Sequence, residues 1–212
     1  MPSLLTRLIH DAQTFLTSLE AENTREWWTA HKEDYEEKLK APAQTLLAEM
    51  SGKLSRLTDA PVGTKLFRPQ RDIRFAKDKT PYHTHLHMLW SVPGNGPIKP
   101  AYFFGISPNY VTLGAGQRDF DKAGLEAWRH HADIKGHEVA ILMNTLTDAD
   151  FRISDPAYKR VPAPYPKNHP NEAILRRKGL TAWRDSDAGL TRDQMAQVFD
   201  ALTPLVLLLA RL

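Results

Sequence analysis

Cysteine is missing from all 212 residues of the chain. Its absence excludes disulfides, thiolate nucleophiles and Cys-ligated zinc or iron–sulfur sites, so a metal would need His, Asp or Glu ligands. Long apolar runs are missing too, because the longest, at residues 205–210, is far shorter than a membrane span. His10 and Asp11 interrupt the stretch where a signal peptide needs an unbroken apolar segment. We therefore expect a cytoplasmic protein with no membrane partner.

The residues that are present have the composition of a globular protein, with 42% hydrophobic and 25% charged side chains. These fractions disfavour disorder and collagen-like repeats, and no stretch resembles a linker depleted of apolar residues. We expect one domain over residues 1–212. The formal net charge of +3 is too small to indicate a nucleic-acid partner by itself.

Both ends of the sequence have the spacing of amphipathic helices. The first helix should bury one face, formed by Leu5, Leu8, Ala12, Phe15, Leu16 and Leu19. Asn23 is the expected N-cap of a second helix, and Pro42 can open a third. The last helix, from about Thr191, should bury Val198, Phe199, Leu202, Leu205 and Leu209.

The middle of the chain changes from a helical period to a period of two, which predicts strands. Three strands are expected, at residues 82–90, at Ala101–Ser107 and at residues 110–116, joined as an antiparallel meander. Farther along, the pattern predicts two helices, a proline-rich loop at residues 156–170, a short helix and a strand near residues 180–184. The fold class is therefore α+β, with the meander packed against N-terminal and C-terminal helices.

The two faces of the predicted meander differ in character. One face collects bulky apolar residues, namely Tyr102, Phe104, Ile106, Val111, Leu113 and Ala115. The other carries Phe103 among small or polar residues, including Gly105 and Gly114. Glycine in strands can mark a close approach of another backbone, so we favour a helix packed on this face over a ligand-binding shelf.

A dense polar segment, FRPQRDIRFAKDKTPYHT, follows the predicted helices. Residues 65–79 hold six cations and only two carboxylates. The segment resembles the signature of a bacterial family, domain of unknown function 2461, in which the matching residues are Arg68, Arg71, Asp72, Arg74, Phe75, Asp78, Lys79 and Tyr82. NTREWW, GAG and PxPYPKNHP extend the resemblance over nearly the whole chain. The resemblance implies no activity or cofactor, and His83 and His87 depart from the residues usual in that family.

The chemistry of the signature favours an anion site. Guanidinium and ammonium groups suit phosphate or carboxylate ligands, so the candidate ligand-binding residues are Arg68, Arg71, Asp72, Arg74, Asp78, Lys79 and Tyr82. The expected partner is an anionic small molecule, and catalysis stays open. One alternative is a structural Arg–Asp network with Phe75 as its apolar anchor. The other is a nucleic-acid or protein interaction surface, with Tyr82 and Trp90 as stacking groups.

Other chemistry is less well supported by the sequence. His83, His85 and His87 would share one strand face, but a polar strand face is a better interpretation than a metal site, so no metal and no cofactor are expected. The chain has no GxSxG, GxxxxGK[ST] or HExxH motif.

Overall fold

The computed structural model describes residues 3–212. Its helices are α1 (Leu4–Ala21), α2 (Arg25–Asp34), a π-helix (Tyr35–Lys40), α3 (Ala41–Thr58), α4 (Lys122–Asp148), α5 (Glu172–Leu175) and α6 (Arg192–Ala210). Its strands are β1 (Gly63–Leu66), β2 (Leu86–Ser91), β3 (Ala101–Ser107), β4 (Tyr110–Gln117), β5 (Arg152–Ile153) and β6 (Leu180–Ser186). None of the described helices is long and apolar enough to cross a bilayer.

The six strands form one antiparallel sheet in the order β1-β2-β3-β4-β6-β5. The α+β class and the meander are therefore confirmed. Strand β2 begins at Leu86, four residues later than expected, because residues 82–85 belong to a hairpin described below. The short edge strands β1 and β5 were not predicted.

One face of the sheet is buried under helices α1, α3 and α6. The expected apolar residues of β3 and β4 are all at most 2% exposed, and Phe199 of α6 packs edge-on against Trp90 at 5.5 Å. Two side-chain hydrogen bonds connect this face of the sheet to the helices. Trp90 Nε1 donates to the Leu47 carbonyl at 3.0 Å, and the Tyr102 and Thr203 hydroxyls lie 2.8 Å apart.

The opposite face is half-buried, and the expected helix does not contact its glycines. The nearest atoms to a Cβ on Gly105 belong to Phe103 and His87, and those to a Cβ on Gly114 belong to the Trp183 ring and the Ala182 carbonyl. The glycines therefore make room for aromatic side chains of the same sheet. A Cβ atom at Gly114 would overlap the Trp183 ring.

Helix α2 is capped by Thr24, whose hydroxyl accepts from the Trp27 backbone N–H at 3.1 Å. The prediction that Asn23 is the N-cap is therefore wrong, although the boundary is displaced by only one residue. Helix α2 then continues through the π-helix into α3 without a break, so Pro42 lies in the first turn of α3 rather than at an independent start. Tyr35 and Leu39 of the π-helix are buried in the core.

One kinked helix, α4, lies where two helices were expected, the first of them after Asp119 or Asp121. Asp121 caps its start through the Gly124 N–H at 2.7 Å, and Lys135 has non-helical angles of φ −126° and ψ 22°. The change of direction at Lys135 divides the helix where the sequence suggested two. Next to it, Asn171, the residue that precedes α5, donates to the Ala132 carbonyl and fills the space over Gly136.

Candidate functional site

The polar signature folds as an extension of the β1–β2 ladder. We call residues 67–85 the signature hairpin. Its two arms run antiparallel, with Phe67 N–H donating to the His87 carbonyl at 3.0 Å, His83 N–H to Pro69 at 2.7 Å, and Arg71 N–H to Pro81 at 2.9 Å. Residues 72–80 form the tip, which extends beyond the sheet.

Arg71 braces the base of the tip. Its Nη1 atom donates to Asp78 Oδ2 at 2.5 Å and to the carbonyl and hydroxyl oxygens of Thr80, and its side chain is only 22% exposed. Asp78 also accepts from the Thr80 backbone N–H at 2.9 Å. This N–H and then the Arg71 guanidinium lower the pKa of Asp78 to about 2. Arg71 and Asp78 thus close the tip on itself.

The other tip residues pair near the surface. Arg74 binds Asp72 through two parallel bonds, Nε to Oδ1 at 2.9 Å and Nη2 to Oδ2 at 2.7 Å, which lower the pKa of Asp72. Lys79 Nζ donates to the Ile73 carbonyl at 3.0 Å. Phe75, considered above as an apolar anchor, is instead 96% exposed. It lies in the turn at the end of the tip and contributes nothing to a core.

Asn23 fastens the hairpin to the helices. Its side-chain amide donates to the Tyr82 carbonyl at 2.9 Å and its side-chain oxygen accepts from the Tyr82 N–H at 3.1 Å. The Tyr82 ring stacks on Trp28, with centroids 4.3 Å apart and an interplanar angle of 15°. Tyr82 is therefore covered on one face, and Trp90 is fully buried. Trp90 is therefore not available as a stacking group for a nucleic acid.

Arg68 lies apart from the other signature cations. It lines a groove of about 270 Å³ between the first arm of the hairpin and the run from α2 to α3, together with Lys32, Glu36, Lys40, Gln44 and Gln70. We call this the Arg68 groove. Trp28 and Tyr35 contribute its aromatic part. Lys40 pairs with Glu36 at 2.7 Å, whereas the side chains of Arg68 and Lys32 make no hydrogen bond or ion pair with any residue in the described range 3–212.

A second depression, of about 390 Å³, opens on the other side of the Tyr82 ring. We call it the Arg71 cleft. Arg71, Asp78 and Tyr82 line it with Glu20, Asn23, His83 and His85. Its charged groups are one cation and two carboxylates, so it is less suited to an anion than the Arg68 groove. The signature residues are thus distributed over two depressions and an exposed tip rather than brought together in one pocket.

The histidines form a column that runs from the Arg71 cleft onto the sheet. The His85 and His87 rings are stacked 3.6 Å apart, and His87 Nε2 lies 2.8 Å from the Tyr110 hydroxyl. Burial, with the neighbouring imidazoles as a second cause, lowers the pKa of His85 to about 4 and that of His87 to about 3. Among the described residues, no three His, Asp or Glu side chains are grouped to hold a metal ion.

Because Arg71 and Arg74 lie in different environments, their substitution should lower the free energy of unfolding by different amounts. Arg71→Gln should lower the free energy of unfolding by about 1–2 kcal/mol, because it removes a charged donor from Asp78 and the Thr80 carbonyl. Arg74→Gln should change it by less than about 0.5 kcal/mol, because that ion pair is exposed. Denaturant titration of both variants measures the difference. Equal costs would contradict the bracing role of Arg71.

This geometry defines a small α+β protein whose sheet carries a braced polar hairpin between two surface depressions. The chain belongs to the conserved hypothetical protein family DUF2461, whose model matches residues 11–207. The resemblance found in the signature is thereby confirmed as family membership over nearly the whole chain. No curated protein matches the sequence.

Proposed function

We propose that the Arg68 groove binds a small molecule that bears a phosphate or carboxylate group. The observation that supports this most directly is its charge. Three cations, Lys32, Lys40 and Arg68, face one carboxylate, Glu36, which leaves a net charge of +2 (three minus one). Two of these cations have no partner within residues 3–212, and a planar guanidinium beside ammonium groups is well suited to an oxyanion.

The pairing of Lys40 with Glu36 does not oppose this proposal. The pair is exposed, and such pairs contribute at most about 1 kcal/mol, so an incoming anion can take the place of Glu36 at Lys40. The amides of Gln44 and Gln70 supply uncharged donors at the same groove. In this proposal Arg68 contacts the ligand, while Arg71, Asp78 and Tyr82 hold the hairpin that carries it.

The size of the groove favours a compact ligand. Its volume of about 270 Å³ is near the lower limit of ordinary ligand pockets, which span about 300–1,000 Å³. A phosphate ester or carboxylate of a few carbon atoms fits this volume better than a nucleotide does. The π-helix adds support, since π-helical turns occur frequently at functional sites and this one supplies Tyr35, Glu36 and Lys40 to the wall.

We further propose that the protein acts in the bacterial cytoplasm. A chain without cysteine needs no oxidising compartment for its folding. Small phosphorylated and carboxylated metabolites are the class of ligand that this proposal assigns to it.

A thermal-shift series tests the proposal. Inorganic phosphate, glycerol phosphate and acetate are added to the wild type at constant ionic strength, with chloride as the reference anion. A ligand at ten times its Kd should raise Tm by about 3–6 °C. Arg68→Gln and Lys32→Gln should each remove most of this rise while leaving the melting of the unliganded protein nearly unchanged.

The matched control is Lys122→Gln, which neutralises an exposed lysine of α4 outside the groove. It should keep the full ligand-dependent rise. The proposal is wrong if none of the three anions stabilises the wild type beyond chloride, or if Lys122→Gln and Arg68→Gln lose the rise equally.

A further inference from the structure

The tip of the signature hairpin carries the most exposed large apolar side chain in the range 3–212. Phe75 is 96% exposed, compared with 64% for Ile141 and 60% for Ile134. Its turn is closed by a bond from the Ala76 N–H to the Ile73 carbonyl at 3.3 Å. Central turn positions favour Gly, Asn or Asp, so the turn itself gives no reason for an aromatic residue there.

The tip is held in shape although it projects into solvent. Three separate groups of hydrogen bonds fix its shape. Arg71 donates to Asp78 and Thr80, Arg74 makes two parallel hydrogen bonds to Asp72, and Lys79 donates to the Ile73 carbonyl. A preformed surface loses less conformational entropy when it binds. The contacts thus present Phe75 outward in a fixed position, with the Arg74 guanidinium 6.0 Å from its ring centre.

The charge around Phe75 indicates the chemistry of its partner. The tip, residues 72–80, carries three cations and two carboxylates, a net charge of +1 (three minus two), and three more cations, Lys65, Arg68 and Arg71, lie along β1 and the first arm of the hairpin. All of the cations except Arg71 are exposed, and Lys77 has no ion pair with a described residue. A polyanion that also offers flat surfaces for stacking matches both the charge and the ring.

We propose that the tip of the signature hairpin binds single-stranded nucleic acid, with Phe75 stacking on a base and the surrounding cations contacting phosphates. Base–aromatic stacking combined with a basic surface is the usual means of binding single strands without sequence preference. This inference does not depend on ligand binding in the Arg68 groove. Phe75 is not among the residues that line that groove.

Two other partners fit the tip less well. A stable interface with a folded protein buries about 800 Å² on each side, whereas the tip offers one exposed ring with the half-buried Ile73 and Ala76 beside it. A bilayer is also disfavoured, because a lone phenylalanine buries less apolar area than a single acyl chain, which itself gives only marginal membrane binding.

The test is fluorescence anisotropy with labelled oligo-dT and oligo-U strands of about 15 nucleotides, a length in the range of single-strand binding sites. The wild type should bind, with an affinity that falls linearly in log salt. Phe75→Ala should bind about tenfold to a hundredfold more weakly, and Phe75→Trp should bind as tightly as the wild type. Lys77→Gln should reduce the salt slope by about 0.7.

Ile141→Ala is the matched control, because it removes another exposed apolar side chain from the far helix α4 and should leave binding unchanged. Unchanged thermal melting of Phe75→Ala shows that the fold is intact. The proposal is overturned if the wild type binds neither strand or if Phe75→Ala binds as tightly. It is also overturned if the wild-type protein instead sediments with vesicles of phosphatidylcholine and phosphatidylserine and the oligonucleotides do not displace it from them. Loss of strand binding in Phe75→Ala, with phosphate stabilisation intact, would separate this site from the Arg68 groove.

Discussion

Removing residues 191–212 should leave a chain that does not fold cooperatively. Helix α6 supplies nine buried residues, including Phe199, Leu202 and Leu205, which are fully enclosed. Each large apolar side chain contributes roughly 1.5–3 kcal/mol when buried, whereas the whole protein is expected to be stable by only about 5–15 kcal/mol. Circular dichroism during heating measures the result. A sharp thermal transition in the truncated chain would contradict it.

A single substitution in α6 gives the same test at smaller scale. Phe199→Ala should lower the free energy of unfolding by about 3–5 kcal/mol, because the ring packs against both Trp90 and Tyr102 and its removal leaves a cavity. Gln197→Ala, on the exposed side of the same helix, is the control and should cost less than about 0.5 kcal/mol. Similar costs for the two variants would show that α6 does not pack as described.

Acid should destabilise the protein through the histidine column before most carboxylates are protonated. In the folded protein the pKa of His85 is about 4 and that of His87 about 3, against 6.5 for an ordinary histidine. The unfolded chain therefore binds protons that the folded chain does not. The stability due to these neutral imidazoles is present above about pH 6.5 and is lost as the pH falls toward 4.

The loss of stability in acid can be measured by comparison with a variant that lacks both imidazoles. One pKa unit corresponds to about 1.4 kcal/mol, but both rings are partly exposed, so a discounted effect of about 1–3 kcal/mol is expected. Denaturant unfolding near pH 7 and near pH 5 should show a larger loss in the wild type than in His85→Gln/His87→Gln. His10→Gln, at an exposed position of α1, should behave as the wild type does. Parallel pH profiles for the double variant and the wild type would refute the assignment.

The sequence predicted the central sheet and the long terminal helices because their periodicity is repeated over many residues. The alternation of Leu86, Met88 and Trp90 identified the buried face of β2, and the spacing around Phe199 identified that of α6. Strand β1 was missed because all but one of its residues are exposed, and an exposed edge strand has no apolar alternation. Asn23 and Thr24 are both good capping residues, so only tertiary contacts decide between them.

The candidate site was only partly predictable. Residue chemistry identified the signature, but the Arg68 groove also needs Lys32 and Lys40, which come from a different part of the chain and meet Arg68 only through the fold. The structural alternative, in which Phe75 is an apolar anchor, required a buried ring, whereas turn geometry at the tip leaves Phe75 in solvent. Arg71 pairs with Asp78 rather than with Asp72, its neighbour in the sequence, and this choice likewise depends on the hairpin register.

The π-helix fixes the rotational phase between α2 and α3. A helical segment of this kind holds one residue more than an α-helix of the same pitch, and one residue corresponds to about 100° of rotation around the axis. Deleting Glu37, an exposed residue within it, would restore regular α-helical bonding and leave the core face of α3 in place. Helix α2 would then have to turn by about 100°, either burying polar residues in place of Trp28 or carrying Lys32 away from Arg68. The single extra residue therefore sets which side chains of α2 face the hairpin.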